Sequence, residues 1–240
     1  MAAGTPPIYA SVMNLAKPRI DVGIFTNNTD AMLAFWQQEA GLAFEEMLPM
    51  GGGLRQYRHA LNGSVFKLNS ARDPLPETTP AGYRELLIAR AGVDAPRELV
   101  DPDGNRAWLV SPGSDGVEAI MVRLSVRDAA AFDAFYGEAL QLERVADTTF
   151  RCGDSLLQFA EDPSAQRDAQ FQAPGFRYIT IQVWDVDAEH AGILARGGRE
   201  GRPPVTLGST ARISFVRDPD GNWIEISQRA SLTGELPSHE

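Results

Sequence analysis

The side chains best able to do chemistry in this sequence are carboxylates on predicted strands. Asp21 and Glu85 are one such pair, and two carboxylates that face one cavity can share a proton, so that one acts as a general base. Glu225 and Tyr178 are a second pair, in which Glu225 would remove a proton and Tyr178 would donate a hydrogen bond to the enolate. Both patterns predict proton transfer, and an ordinary ion pair with a nearby Lys or Arg is the alternative for each.

His59 is a further candidate for proton transfer or metal binding. It follows Arg55 and Tyr57 at alternate positions of one predicted strand. It could join Asp21 and Glu85 as a proton shuttle, or as the third ligand of a weak, oxygen-rich metal site. A histidine on the solvent face of the strand is the alternative interpretation.

Other polar and apolar side chains are predicted to line the same cavities. Arg123 or Gln158 could hold a carboxylate or carbonyl group beside Glu225. Aromatic walls would suit a flat or aromatic ligand, although ordinary packing between modules explains them equally well. The remaining candidates for ligand binding are Met121, Trp223, Lys67, Trp108 and Phe25.

The elements that must position these residues are repeated along the chain. DPDGNRAWL at residues 101–109 and DPDGNWIEI at residues 218–226 each predict a tight turn that leads into a strand. Upstream, the segments that begin at Asp21 and Met121 each predict a strand, a helix with an aromatic pair, and another strand. The spacing from Asp21 to Trp36 equals that from Met121 to Tyr136, which indicates an internal duplication.

Four modules account for this repetition, at residues 18–70, 82–111, 117–161 and 175–229. The second is truncated, because VDAPRELV stands where its helix is expected. The predicted fold is therefore α+β, with βαβββ-type modules paired into two cup-shaped, open β-sheets that carry helices on their convex faces. We expect an arm at residues 1–17, domains at 18–112 and 113–229, and a polar tail at 230–240.

The aromatic pairs Phe35-Trp36 and Phe135-Tyr136, together with the two DPDGN turns, resemble the vicinal oxygen chelate superfamily. This superfamily includes glyoxalase I, extradiol dioxygenases and bleomycin-resistance proteins. Because the signal is duplicated over about residues 18–229, it is specific for the fold, and it is much weaker as evidence for a reaction.

The resemblance implies a metal bound by His or Gln on the first strand of each module and by Glu on the last. Of the eight corresponding residues, only Glu225 matches that pattern. The first cup has Asp21, Lys67, Glu85 and Trp108 at these places, and the second has Met121, Gln158, Tyr178 and Glu225. The expected cofactor is therefore none, with a divalent metal at Asp21, His59 and Glu85 as the weak alternative.

Composition excludes several classes of partner. The formal net charge is -10 and the sequence pI about 4.8, which disfavours nucleic acid because phosphates require a clustered basic face. We find neither a leader-like start nor an apolar run long enough for a membrane span, so a cytoplasmic protein is expected. The predicted partner is a small aromatic or oxygenated molecule, and a homodimer is one possibility.

Three functions compete on this evidence. The leading hypothesis is an enzyme, a glyoxalase-like lyase or isomerase that transfers a proton without the standard metal. The alternative is a non-catalytic binding protein of the bleomycin-resistance type. The third is a metal-dependent glyoxalase or dioxygenase.

Metal content is the first testable consequence of this sequence. We expect the purified protein to hold no stoichiometric iron, nickel or zinc, because neither cup offers two nitrogen ligands with a carboxylate. Elemental analysis of the protein as purified measures this. One tightly held transition metal per chain would contradict the expectation.

Overall fold

The computed structural model describes residues 13–165 and 170–237. Fifteen strands carry the fold within these residues, and the helices are short. The strands are β1 Leu15–Thr26, β2 Phe44–Gly51, β3 Leu54–Leu61, β4 Ser64–Ala71, β5 Tyr83–Ala89, β6 Arg97–Val100, β7 Arg106–Val110, β8 Ile120–Val126, β9 Glu143–Ala146, β10 Thr149–Cys152, β11 Ser155–Glu161, β12 Gly175–Val183, β13 Arg199–Leu207, β14 Ala211–Arg217 and β15 Trp223–Arg229.

Helices follow the first strand of modules one, three and four, and a last helix follows β15. They are α1 Thr29–Ala34, α2 Ala129–Ala134, α3 Val186–Ala195 and α4 Ala230–Thr233. The first two continue into π-helical turns, Phe35–Glu39 and Phe135–Ala139. None of the helices in the described ranges is long and apolar enough to cross a membrane.

The modules pair crosswise. One sheet has eight strands in the order β13-β14-β15-β12-β1-β4-β3-β2, so it joins module four to module one. The other has seven strands in the order β6-β7-β5-β8-β11-β10-β9, and joins module two to module three. The α+β fold of paired, cup-shaped sheets is confirmed. The expected grouping into 18–112 and 113–229 is wrong for the sheets, because each sheet takes strands from both segments.

The chain ends also differ from the expected boundaries. Strand β1 begins at Leu15, inside the segment predicted as an arm, and residues 1–12 lie outside the described part. Residues 230–233 form α4 within the predicted tail, and 238–240 are likewise outside the description.

The second module lacks a helix, as the sequence predicts. Residues 90–96 form turns and irregular backbone, and the edge strand β6 follows. Module two also has three strands, whereas each of the other modules has four.

The helices of modules one and three pack on the convex faces of the sheets through their aromatic pairs. Ile20, Val22 and Ile24 alternate with cup-facing residues on β1 and are buried. Trp36 is fully buried with its ring centroid 4.1 Å from that of Phe66. Burial of one large apolar side chain contributes about 1.5–3 kcal/mol, so these pairs fix the helix to the sheet.

The DPDGN turns connect the two sheets. In the second turn, Asp218 Oδ1 accepts hydrogen bonds from the backbone N–H groups of Asp220 and Asn222, while Gly221 has φ of 86°. Asn222 Oδ1 accepts from Gly82 N at 2.6 Å, at the start of module two. The turn of module four is thus attached to the other sheet, and its carboxylate is fully buried.

Asp218 makes stability depend on pH near neutrality. Burial raises the pKa of Asp218 to about 7, although hydrogen bonds from Asn222 oppose the shift. The folded state therefore holds a proton that the unfolded chain has released above about pH 4, and stability falls as pH rises from there to about 7.

We expect Asp218→Asn to flatten this dependence. The unfolding free energy at pH 5 minus that at pH 8 should become smaller in the variant by on the order of 1–3 kcal/mol. Urea unfolding at both pH values measures it, with the exposed Asp94→Asn as the control. Burial lowers the pKa of His59 and gives a slope of opposite sign, which the comparison of variants cancels. Equal slopes in wild type and Asp218→Asn would refute the assignment.

Candidate functional site

Part of the seven-stranded cup is filled by its own apolar side chains. Leu87, Met121 and Leu156 are buried on its concave face, where Val117 packs against them. Trp108 closes this cluster and stacks with Arg106, whose guanidinium lies 5.7 Å from the ring centroid. Met121 and Trp108, predicted to bind ligand, therefore belong to an apolar core.

The eight-stranded cup encloses a cavity of about 490 Å³, within the usual range for small-molecule sites. Strands β1, β3, β4, β12, β14 and β15 contribute its floor, and the β2–β3 and β13–β14 hairpins form its rim. This cavity is the candidate functional site.

A lysine, a threonine and a glutamate meet at its floor. The Lys67 ammonium lies 3.0 Å from Glu225 Oε2 and donates to Thr180 Oγ1 at 2.6 Å. Thr180 Oγ1 in turn donates to the same Glu225 oxygen at 2.7 Å. The β12–β15 register places Thr180 directly beside Glu225, and both Lys67 and Glu225 are mostly buried. This cluster gives the site one carboxylate paired with one cation.

Asp21 lies next to this cluster and is fully committed to structural contacts. Its carboxylate accepts hydrogen bonds from Lys17 Nζ at 2.6 Å, Val65 N at 2.8 Å and Gln182 Nε2 at 3.2 Å. Burial would raise the pKa of Asp21, but Lys67 and Lys17 outweigh it and the net pKa is lowered. An acid held in its ionised form by these contacts is a poor general base.

Tyr178 forms the cavity wall beside Asn69. Its hydroxyl oxygen accepts hydrogen bonds from Gln56 Nε2 at 3.3 Å and Asn69 Nδ2 at 3.2 Å. Burial, and then the charge of Glu225, raise the pKa of Tyr178, so the phenol stays protonated. Its ring lies against Gly23, because β1 and β12 pair these two residues directly. Tyr178 is thus a fixed, protonated phenol whose oxygen accepts two hydrogen bonds.

Two arginines converge on one side of the cavity. Arg58 lies on β3 and Arg229 at the end of β15, and both line the cavity. Glu46, a half-exposed residue of β2, is 3.1 Å from Arg58 Nε and 3.8 Å from Arg229 Nη2. Burial, and then the charge of Arg58, lower the pKa of Arg229.

Aromatic rings make the rest of the wall. The Phe171 ring centroid lies 5.3 Å from that of Tyr178, 4.9 Å from that of Phe215 and 5.4 Å from that of Phe25. Arg202 covers this group, with its guanidinium 4.8 Å from the Phe171 ring centroid. Trp223 packs behind Phe171 and Phe215.

The structure brings together only some of the predicted site residues. Glu225, Tyr178, Lys67 and Phe25 line one cavity, although the sequence assigned them to different cups. Glu85, Arg123 and Gln158 belong to the other sheet, where Arg123 bridges Glu85 at 3.2 Å and Gln158 at 2.9 Å. The proposed sharing of one cavity by Asp21 and Glu85 is therefore wrong, as is the placement of Arg123 and Gln158 beside Glu225. Crosswise module pairing is the physical reason.

His59 is wrong for either predicted role. It is buried on the convex side of β3, with Nε2 3.1 Å from Gln37 Nε2 and its ring near Phe66. The alternate residues Gln56 and Arg58 face the cup instead. In the described residues no three His, Cys, Asp or Glu side chains cluster, so the alternative metal site at Asp21, His59 and Glu85 is not assembled.

Sequence reasoning missed the arginines and two amides. Arg229 follows Glu225 and Ser227 by period-2 alternation, so extending the pattern by one step finds it. To find Gln56, Arg58 and Asn69, one must know which residues of β3 face the cup. The pairing of β3 with β4 shows this, because it sets Arg58 opposite Lys67 and Gln56 opposite Asn69. The sequence carried no local signal for Phe171, which comes from a connector between modules.

The donor set does not fit the superfamily's metal. A site of His or Gln with Glu would need neutral or anionic ligands around one point, and Glu225 faces Thr180 and the cation Lys67 instead. The Lys67 ammonium thus places its positive charge beside Glu225, at the position where the superfamily's ligand pattern implies a metal.

The comparisons with known proteins agree with this architecture. Residues 118–226 match the model of the Glyoxalase/Bleomycin resistance protein/Dioxygenase superfamily. A glyoxalase I mutant from Zea mays superposes with a TM-score of 0.71 at 15% identity, over 93% of this chain and 96% of the other. Glyoxalase I from Zea mays gives 0.69 at 16% identity, over 88% and 92%. No curated protein matches the chain.

The fold is that of the paired-module, cup-shaped proteins. The family model confirms the resemblance to the vicinal oxygen chelate superfamily over residues 118–226, and the glyoxalase I structures share the fold over most of the chain. At this level of identity the relatives establish the fold, and the reaction has to be argued from the site.

Gly23 tests whether the cavity depends on the close contact between β1 and Tyr178. A Cβ at Gly23 would lie 2.0 Å from Tyr178 Cε1, so the ring would have to move. We expect Gly23→Ala to lower the unfolding free energy by about 1–3 kcal/mol through overpacking. Urea unfolding measures it, with Gly137→Ala as the control, since a Cβ there meets its nearest neighbour at 3.4 Å. Equal stability of the two variants would refute this constraint.

Proposed function

We propose that the protein is a glyoxalase-like lyase or isomerase that moves a proton on a small oxygenated metabolite in the eight-stranded cup. Glu225 is the proposed base. The observation that carries this proposal is the cluster of Lys67, Thr180 and Glu225 on the cavity floor, since it joins a carboxylate to a cation within reach of a bound molecule.

The proposed chemistry uses the groups in complementary roles. Glu225 takes a proton from a carbon next to a carbonyl group, and the C–H electron pair moves to form the enolate. The Lys67 ammonium and the Tyr178 hydroxyl stabilise the negative oxygen by charge and by hydrogen bonding. Where the deprotonated carbon also carries a hydroxyl group, that hydroxyl's proton moves to the enolate oxygen and Glu225 returns its own proton to the former carbonyl carbon, which completes an isomerisation. Where a leaving group stands on the carbon β to the carbonyl, the enolate reforms the carbonyl and expels that group, which completes an elimination.

Lys67 makes a separate metal unnecessary in this scheme. In oxyanion stabilisation a preorganised cation acts where negative charge develops, and a buried ammonium satisfies that requirement. We therefore propose catalysis without a metal cofactor, and the donor set offers no support for a metal-dependent glyoxalase or dioxygenase. The small-molecule partner and the cytoplasmic location stay predictions.

A binding protein without chemistry is the second candidate. It is favoured by one observation, that Glu225 already accepts hydrogen bonds from both Lys67 and Thr180. A carboxylate with these two partners is equally consistent with a purely structural ion pair. The two candidates share the cavity and differ only in whether Glu225 moves a proton.

Proton exchange distinguishes them. We expect wild-type protein to catalyse deuterium uptake from D₂O at the carbon next to the carbonyl in members of a panel of aliphatic and aromatic ketones and 2-oxo acids. Glu225→Gln should lower that rate by about 10²- to 10⁴-fold while binding is retained, because a general base acts in the transition state. Proton NMR follows the exchange.

The matched control is Glu143→Gln, an exposed glutamate on the edge of the other sheet. Unchanged exchange in Glu225→Gln would remove Glu225 as the base. Saturable binding of panel members without exchange above the solution rate would favour the binding protein.

A further inference from the structure

The cavity carries a charge opposite to that of the protein. The chain has a net charge of -10. Along the cavity wall, in the described part of the chain, the basic side chains are Arg58, Lys67, Arg202 and Arg229, and the acidic one is Glu225. Because Lys67 is paired with Glu225, the three arginines give the cavity its excess of positive charge. Such a local reversal concentrates anions from solution.

Arg58 and Arg229 are held close together with weak compensation. Both approach one oxygen of Glu46, and Arg229 does so only at 3.8 Å. Glu46 stands on an edge strand with its side chain 46% exposed, whereas that of Arg58 is 7% exposed. A solvated carboxylate at the rim offsets two partly desolvated guanidiniums poorly. An incoming anion with fork geometry would satisfy them better.

Another part of the cavity wall is aromatic and suited to a ring. Phe171, Tyr178 and Phe215 surround one another with edge and tilted contacts, and Phe25 adds a further face. Arg202 caps this group by cation–π contacts, so its charge is directed along the ring faces. A flat apolar body fits against these surfaces, and a charged end fits at the arginine pair.

We propose that the ligand of this cavity is an aromatic carboxylate whose carboxylate group is bound by Arg58 and Arg229 and whose ring lies against Phe171, Tyr178 and Phe215. The inference rests on the proposed function only for the location of the site. It names the substrate class, and it holds equally whether Glu225 is a base or a structural residue.

Arg58 belongs to the recognition of charge in this scheme, and Lys67 to the chemistry. Lys67 is already bound to Thr180 and Glu225, so its hydrogen bonds are largely used. Arg58 has a long contact to Gln56 at 3.5 Å besides the ion pair with Glu46. Its guanidinium therefore has hydrogen-bonding capacity left for a ligand.

Calorimetric titration of the full chain tests the proposal. The probes are benzoate, phenylacetate and phenylpyruvate, each compared with its methyl ester, and acetate as the carboxylate without a ring. We expect at least one aromatic carboxylate to bind, and its ester and acetate to bind at least about tenfold more weakly. Arg58→Gln and Arg229→Gln should each weaken that binding by at least about tenfold.

Arg55→Gln is the matched control, because Arg55 lies on the same strand, is exposed, and faces away from the cup. It should bind as the wild type does. Circular dichroism and thermal unfolding establish that each variant is folded, and Arg58→Lys, which keeps the charge, replaces Arg58→Gln if that variant unfolds. Arg58→Lys should also bind more weakly, since it loses the fork geometry.

Three outcomes overturn the proposal. They are esters that bind as well as the acids, arginine variants that bind as tightly as Arg55→Gln, and no binding of any aromatic acid up to about 10 mM, a weaker limit than that of ordinary metabolite sites. These readouts are binding alone, whereas the proposed function fails on proton exchange by Glu225→Gln. If the proposed ligand class fails, the proposed function is still tested by proton exchange, and if the proposed function fails, the ligand class is still tested by binding.

Discussion

The antiparallel pairing of β1 with β12 is the interaction on which the site depends. It sets Asp21 opposite Thr180 and Gly23 opposite Tyr178, in the middle of the eight-stranded sheet. The parallel neighbours then bring Lys67 beside Gly23 and Glu225 beside Thr180. A slip of one residue in the central register would send these side chains to the opposite face of the sheet. One ladder of backbone hydrogen bonds therefore decides which charges meet.

Much of the fold could be read from the sequence because its signals are local. Turn chemistry in DPDGN, helical spacing around Trp36 and Tyr136, and period-2 alternation on β1 each act over a few residues. The missing helix of module two was visible for the same reason. Module pairing is a long-range property, and the alternation that places Glu85 on a concave face carries no information about which other module supplies the opposite wall.

The errors in the predicted site follow from that limit. Asp21 and Glu85 were each placed on the correct kind of face, and crosswise pairing put them in different sheets. The prediction for His59 is wrong because Gln56 and Arg58 take the concave positions of β3, so that His59 faces the convex side. Glu225 and Tyr178 share a cavity because both come from module four, where sequence proximity and spatial proximity coincide.

Crosswise pairing also fixes the order in which the two sheets can be completed during synthesis. Modules two and three are consecutive, so the seven-stranded sheet closes over a short stretch of chain. Strand β1 emerges first, yet its partner β12 is made more than a hundred residues later, and loop closure of that length slows folding. Until then β1 presents an unpaired edge rich in Ile, Val and Phe, a template for association with other chains. The nascent chain is thus most vulnerable to aggregation while its ligand cavity is still half built.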